Sequence, residues 1–220
     1  MRSIGGRMRT QPREVIIIER LGHALRKLTN SASQNIGADC LMQALLAQQV
    51  LKEEGMDTKV VLGEAAWRIG PGDGDVITHS PTTGGFAPVG VKAMAYHAWL
   101  EWKTSIIDLT THSLRLKAAQ LDAMDGGKTN VDWCPPYLFI PKWQARSLRE
   151  VTQALNAGVS CYREIPGLHM AMLANGHISP IDQDDIRALR LLYQNPTMVV
   201  IGPNDRPEKL QWQQHAPLPD

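Results

Sequence analysis

The sequence predicts an α+β domain in which N-terminal helices, the second opening on Cys40, pack on an antiparallel sheet. Two observations carry this. Helical periodicity fills the N-terminal part of the chain, and short β-branched runs with a hairpin pattern fill the middle before mixed elements follow. That order differs from the strand–helix alternation of a parallel βαβ sheet.

Val15, Ile18, Leu21, Leu25 and Leu28 recur at three- and four-residue spacing, which predicts an amphipathic helix over 13–29 ending near Asn30 and Ser31. The polar run 31–39 reads as a loop. From Cys40, the apolar positions Leu41, Ala44, Leu45, Val50 and Leu51 suit a largely buried helix that stops before Gly55. Residues 59–63 form a short β-branched strand. The stretch 70–88 is too rich in glycine and proline for regular structure and reads as a flexible loop, a lid or substrate wall. Residues 91–102 and 105–110 read as strands of a hairpin turning at Lys103 and Thr104. Ser113 caps a helix to Met124, residues 137–140 make a strand, and Ser147 with Glu150 forms a capping box opening a helix to Asn156. A strand over 159–165, a short helix over 168–175, a helix to about Gln194 capped by Ser179 and Pro180, and a strand over 197–201 complete the pattern.

The 220 residues fit one domain over 1–202 with a tail rich in proline and glutamine over 203–220. With 23 Lys and Arg against 22 Asp and Glu, the formal net charge of +1 supplies no global field for nucleic acid, which is not expected as a partner. No segment approaches the ~20 apolar residues of a membrane span, and the run Val15–Ile18 is too short for a signal peptide, so a cytoplasmic protein without membrane contact is expected. Cys40, Cys134 and Cys161 are odd in number and lack a C-x-x-C pair, which points away from a disulfide framework and from a zinc site. Neither a metal nor a cofactor is expected.

Cys40, His97 and Asp108 occur in the order and context that thiol chemistry needs. A thiol at a helix N-terminus meets the positive end of the macrodipole and free backbone N–H groups, which favour thiolate over thiol. His97 on a strand is placed to pair with that thiolate, and Asp108 on the neighbouring strand to hold the second imidazole nitrogen. A two-residue turn at Trp102 and Lys103 puts Asp108 directly opposite His97, and a turn at Lys103 and Thr104 puts the pair on a diagonal. Both registers leave the side chains within reach.

Residues 37–110 resemble the transglutaminase-like branch of the papain-like cysteine enzymes. The resemblance rests on Gly37-Ala38-Asp39-Cys40 opening a helix, Gly55-Met56-Asp57-Thr58-Lys59-Val60-Val61-Leu62-Gly63, Tyr96-His97-Ala98-Trp99-Leu100-Glu101, and Ile107-Asp108-Leu109-Thr110. It implies a papain-like fold with Cys40 as nucleophile, His97 as general base and acid, and Asp108 as the orienting carboxylate. It also implies Gln34 as an oxyanion donor beside the backbone N–H of Cys40, with Asn35 competing for that role. Against the pattern, the glycine stands three residues before Cys40, no aromatic residue follows the cysteine, and the His–Asp connection is short.

The expected activity is acyl transfer through a thioester, first as hydrolysis of a peptide, isopeptide or side-chain amide of a protein or peptide substrate. Transamidation and thioester acyl transfer are the related alternatives. The rival is a non-enzymatic protein-binding module on the same fold. One of Trp99 and Trp102, on opposite faces of their strand, is expected in the core and the other as a wall of the cleft. Cys134 and Cys161 read as structural thiols, and Cys161, His169 and His177 match no common metal spacing.

Overall fold

The apolar stripe of the first helix becomes α1 (Arg13–Ala32), whose Ile18, Leu21 and Leu25 are fully buried, each such burial contributing about 1.5–3 kcal/mol. Helix α2 (Cys40–Glu53) lies against it. The computed structural model describes residues 12–33, 39–81, 95–174, 176, 178 and 180–205. Gly55 ends α2 as anticipated: at φ 78° it takes the left-handed conformation, its N–H bonds Lys52 O, and Met56 N–H reaches back to Leu51 O. This is a Schellman termination.

Among the described residues six antiparallel strands form a curled sheet: β1 (Lys59–Arg68), β2 (Val76–His79), β3 (His97–Trp102), β4 (Ser105–Asp108), β5 (Leu138–Pro141) and β6 (Ser160–Glu164). β1 is the spine. Along one edge its first half pairs with β3, Gly63 opposite His97, and its second half with β2, Ala65 opposite His79, while β6 takes the other edge. The sheet then continues from β3 to β4 to β5. The register aligns Val60, Leu62, Ala98, Leu100 and Ile107 on the face packed on α1 and α2. Val61, Gly63, Ala65, Trp67, His97, Trp99 and Asp108 share the other face, to which Tyr162 also belongs through its pairing with Ala65. Because both faces are covered, β1 is buried along its length after Lys59, which is why alternation stopped reading as a strand at Gly63.

The remaining helices are α3 (Leu114–Asp125), α4 (Leu148–Gln153), α5 (Leu168–Ala174) and α6 (Gln183–Gln194). Leu114 and Ala118 of α3 pack on Trp67 and Ile77, covering the face that bears His97, while α6 packs on α1 and α2. The capping box forms as expected, Ser147 Oγ accepting from Glu150 N–H at 3.3 Å and Glu150 Oε2 accepting from Ser147 N–H at 2.8 Å.

Several boundaries differ from expectation. Within 70–88, residues 76–79 are strand β2, and the preceding turn is tied by Asp75, whose Oδ2 accepts from Gly72 N at 2.7 Å and Oδ1 from Asn130 N at 2.8 Å. Residues 82–88, and 91–94 of the expected hairpin strand, lie outside the described residues. Ser113 does not cap α3; its hydroxyl donates to Thr110 O at 2.8 Å, closing a 3₁₀ turn. Helix α6 starts at Gln183 with Asp182 as its cap, Oδ1 accepting from Asp184 N at 2.8 Å. Residues 197–201 form no strand, because Lys27 Nζ takes the carbonyls of Pro196 at 2.6 Å and Met198 at 2.9 Å. The tail expected from Pro203 begins as a 3₁₀ turn docked on α1, with Asn204 Nδ2 donating to Asn30 O and Ser33 O, both at 2.9 Å.

Candidate active site

The hairpin fixes the first half of the site. Trp102 pairs with Ser105 across a two-residue turn, Lys103 at φ 52°, so Asp108 stands opposite Trp99 and diagonal to His97. This is the diagonal register, and it brings His97 Nε2 to 2.9 Å from Asp108 Oδ2 with the two side chains 2% and 0% exposed. The other carboxylate oxygen accepts from Thr110 N at 2.9 Å and Thr110 Oγ1 at 2.7 Å. A carboxylate so surrounded keeps its charge: burial pushes its pKa up, but His97 and Thr110 outweigh burial and hold it below the usual range. Burial likewise opposes charge on His97, and the Asp108 carboxylate with the neighbouring Cys40 thiol overcomes it, raising the imidazole well above its ordinary value.

A second layer was not read from the sequence. Tyr162 on β6 donates its hydroxyl to Asp108 Oδ2 at 2.7 Å and accepts from Trp67 Nε1–H at 2.9 Å. Burial, then the Asp108 charge, keeps that phenol neutral by raising its pKa well above the ordinary tyrosine value, so it remains a donor. The contact depends on Gly63, where a Cβ would lie 2.1 Å from the carbonyl oxygen of Arg163 on β6. Only glycine lets the two strands approach so closely beside His97.

Cys40 is the first residue of α2 and is buried. Asp39 precedes it without capping the helix through its side chain, since Oδ2 accepts from Ser33 Oγ at 2.7 Å and Oδ1 from Gln43 Nε2 at 2.8 Å. The first backbone N–H groups of α2 therefore receive no bond from that carboxylate. Cys40 shares a narrow cleft with His97, Trp67, His79 and, from the start of α3, Lys117. His97 Nδ1 is buried and has no hydrogen-bond partner among the described residues, although the Cys40 thiol lies close enough to act on the ring. Since Nε2 is committed to Asp108, Nδ1 is the nitrogen left for the thiol, and such contacts are often loose before substrate binds.

The structure thus gathers Cys40, His97 and Asp108, while Gln34 and Asn35 lie outside the described residues. Of the two tryptophans expected as core and wall, Trp99 lines a second small pocket that also borders Cys40, while Trp67 lines the cleft that holds His97. Trp99 lies stacked beside His97, rings 6.3 Å apart, in a buried cluster with Val61 and Ile106, and Trp102 packs against Phe139 with Lys103 over its ring. Their strand alternation pointed to one core residue and one wall, whereas the sheet is covered on both faces. Cys134 Sγ contacts the carbonyls of Thr111 and His112, each at 3.4 Å. Cys161 is buried on β6, and burial followed by the Glu64 charge pushes its thiol up to about 11. Among the described residues no three His, Cys, Asp or Glu side chains converge as metal ligands, and no helix is long and apolar enough to cross a membrane. His177 lies outside the described residues.

No family model and no curated protein matches the chain. Among solved structures it is similar to a crystal structure titled as that of a genomics target, with a TM-score of 0.53 and 16% identity over 84% of this chain and 82% of that one. At that identity the likeness concerns the fold alone, an α+β arrangement of helices on a curled antiparallel sheet.

Proposed function

We propose that the protein is a cysteine-dependent acyl-transfer enzyme of the transglutaminase-like, papain-like type that cleaves an amide of a protein or peptide. The observation that supports this most is the buried His97–Asp108 pair, whose free imidazole nitrogen shares a cleft with a thiol at a helix N-terminus. A charged pair buried this deeply costs several kcal/mol in desolvation per ion, roughly, before its attraction is counted. Orienting an imidazole toward a nucleophile is the use that such a pair serves in triads.

In this reading Cys40 Sγ, its proton held by His97, attacks the substrate carbonyl carbon. The carbonyl oxygen becomes an oxyanion facing the open N–H groups at the start of α2, each such donor contributing about 2.7–4 kcal/mol. His97 passes the proton to the amine nitrogen, the C–N bond breaks, and a thioester remains on Cys40. Water then gives a proton to His97 and attacks the thioester, and the thiol is restored as the acid leaves. An amine in place of water makes the reaction a transamidation. Proton transfer by a positioned imidazole typically contributes 10²–10⁴-fold.

Exposure to p-nitrophenyl acetate tests the reading. An acetyl group should accumulate on Cys40 and be absent from it in Cys40→Ser and His97→Ala protein. Acetylation of Cys134 or of lysines, with Cys40 unmodified, would refute it.

A further inference from the structure

The cleft holds two polar groups that acyl transfer does not use, Lys117 on α3 and His79 on β2. Lys117 sits in the first turn of α3, where the helix macrodipole disfavours a cation, and neither α2 nor α3 carries an acidic residue in its first turn. Among the described residues Lys117 has no ion-pair partner. The carboxylates bordering the cleft are committed elsewhere: Asp39 accepts from Ser33 and Gln43, and Asp108 accepts from His97, Thr110 and Tyr162. His79 is neutral, its pKa lowered to about 3 by burial and by the neighbouring His97 and Lys117. Its Nε2 is nevertheless buried without a hydrogen-bond partner among the described residues, 5.5 Å separating its ring from that of His97. Among the described residues the cleft therefore carries an ammonium without an ion-pair partner and an imidazole nitrogen without a hydrogen-bond partner, and neither Asp39 nor Asp108 pairs with Lys117.

We infer that Lys117 pairs with a carboxylate of the substrate, so that the amide presented to Cys40 belongs to an acidic peptide or similar anionic molecule, with His79 Nε2 as an acceptor for a substrate N–H. The inference rests on the acyl-transfer reading. An ammonium on a flexible stem meets a carboxylate as a point charge without demanding one orientation. Partial exclusion of water strengthens that attraction well beyond its value in bulk solvent. The neutral His79, bonded through its other nitrogen to the backbone of Tyr96, accepts from a substrate N–H and does not compete for the charge.

Two alkylating reagents of nearly equal size, anionic iodoacetate and neutral iodoacetamide, probe this without a known substrate. The rate ratio of iodoacetate to iodoacetamide at Cys40 is measured by mass spectrometry in wild-type, Lys117→Gln and Lys117→Arg protein. The His97 imidazolium favours the anion in all three, so the change between variants isolates Lys117. The ratio should fall roughly five- to tenfold in Lys117→Gln and be retained in Lys117→Arg. An equal ratio in all three would overturn the anion site. Slow labelling of Cys40 by both reagents, no faster than Cys134, would overturn the acyl-transfer reading on which it stands.

Discussion

Tyr162 donates its hydroxyl to Asp108 Oδ2 at 2.7 Å, so the carboxylate that binds His97 is held from a second side by a strand 54 residues further along the chain. With Trp67 Nε1–H behind it at 2.9 Å, the phenol completes a buried relay running from Trp67 through Tyr162 and Asp108 to His97. Tyr162 is a positioning residue: it acts on the imidazole only through the carboxylate.

Replacing Tyr162 with Phe removes that bond and leaves Trp67 Nε1–H without its acceptor. The expected loss is about 1.5–3 kcal/mol of folding stability, measured by urea denaturation. Cys40 alkylation should also shift its pH profile toward neutral, because Asp108 is less firmly placed. A merely structural tyrosine would lower stability and leave the profile where it was.

Removing one member of the buried pair strands the other. His97→Ala and Asp108→Ala are each expected to cost about 3–5 kcal/mol, and the double variant should cost clearly less than the sum of the two. Equilibrium denaturation of the four proteins of the cycle measures the coupling.

Stability should peak near pH 6.5, because His79 and His97 titrate in opposite senses. His79 has its folded pKa lowered from 6.5 to about 3, so the unfolded chain takes up the proton first, and stability is lost as pH falls from 6.5 toward 3. His97 has its folded pKa raised above 6.5, so its contribution is complete below that value and is lost as pH rises beyond it. Denaturation midpoints between pH 6 and 4.5 should fall in the wild type and fall less in His79→Phe.

Gly63→Ala should be more damaging than its size suggests. A Cβ there meets the Arg163 carbonyl at 2.1 Å, a backbone atom that cannot rotate away. Separating β6 from β1 carries Tyr162 away from Asp108. The expected cost is about 1–3 kcal/mol or more, with slowed Cys40 labelling, measured on the same sample.

The grouping of Cys40, His97 and Asp108 was legible because each sits in a local pattern: a cysteine opening an apolar helix, and a hairpin whose arithmetic limits where Asp108 can fall. What surrounds them was not. Tyr162 reaches Asp108 only because β6 pairs with the far edge of β1, a long-range pairing that no periodicity announces. Trp67 was missed because β1 runs on past Gly63 with both faces buried, and His79 because β2 is a four-residue strand inside a stretch dense in glycine and proline. The expected strand at 197–201 failed for the converse reason, since Lys27 and α1 claim its carbonyls before a neighbouring strand can. Local chemistry was readable where local order sets it, and not where tertiary pairing does.

In the proposed mechanism Cys40 and His97 work as a thiolate and imidazolium held by Asp108. The pH dependence of iodoacetamide alkylation, followed at Cys40, Cys134 and Cys161 by mass spectrometry, tests it most directly. Fast labelling of Cys40 that persists to about pH 6 and is lost in His97→Ala is expected, with Cys161 the slowest because burial raises its thiol to about 11. Labelling of Cys40 no faster than that of Cys134, and unchanged in His97→Ala, would contradict it.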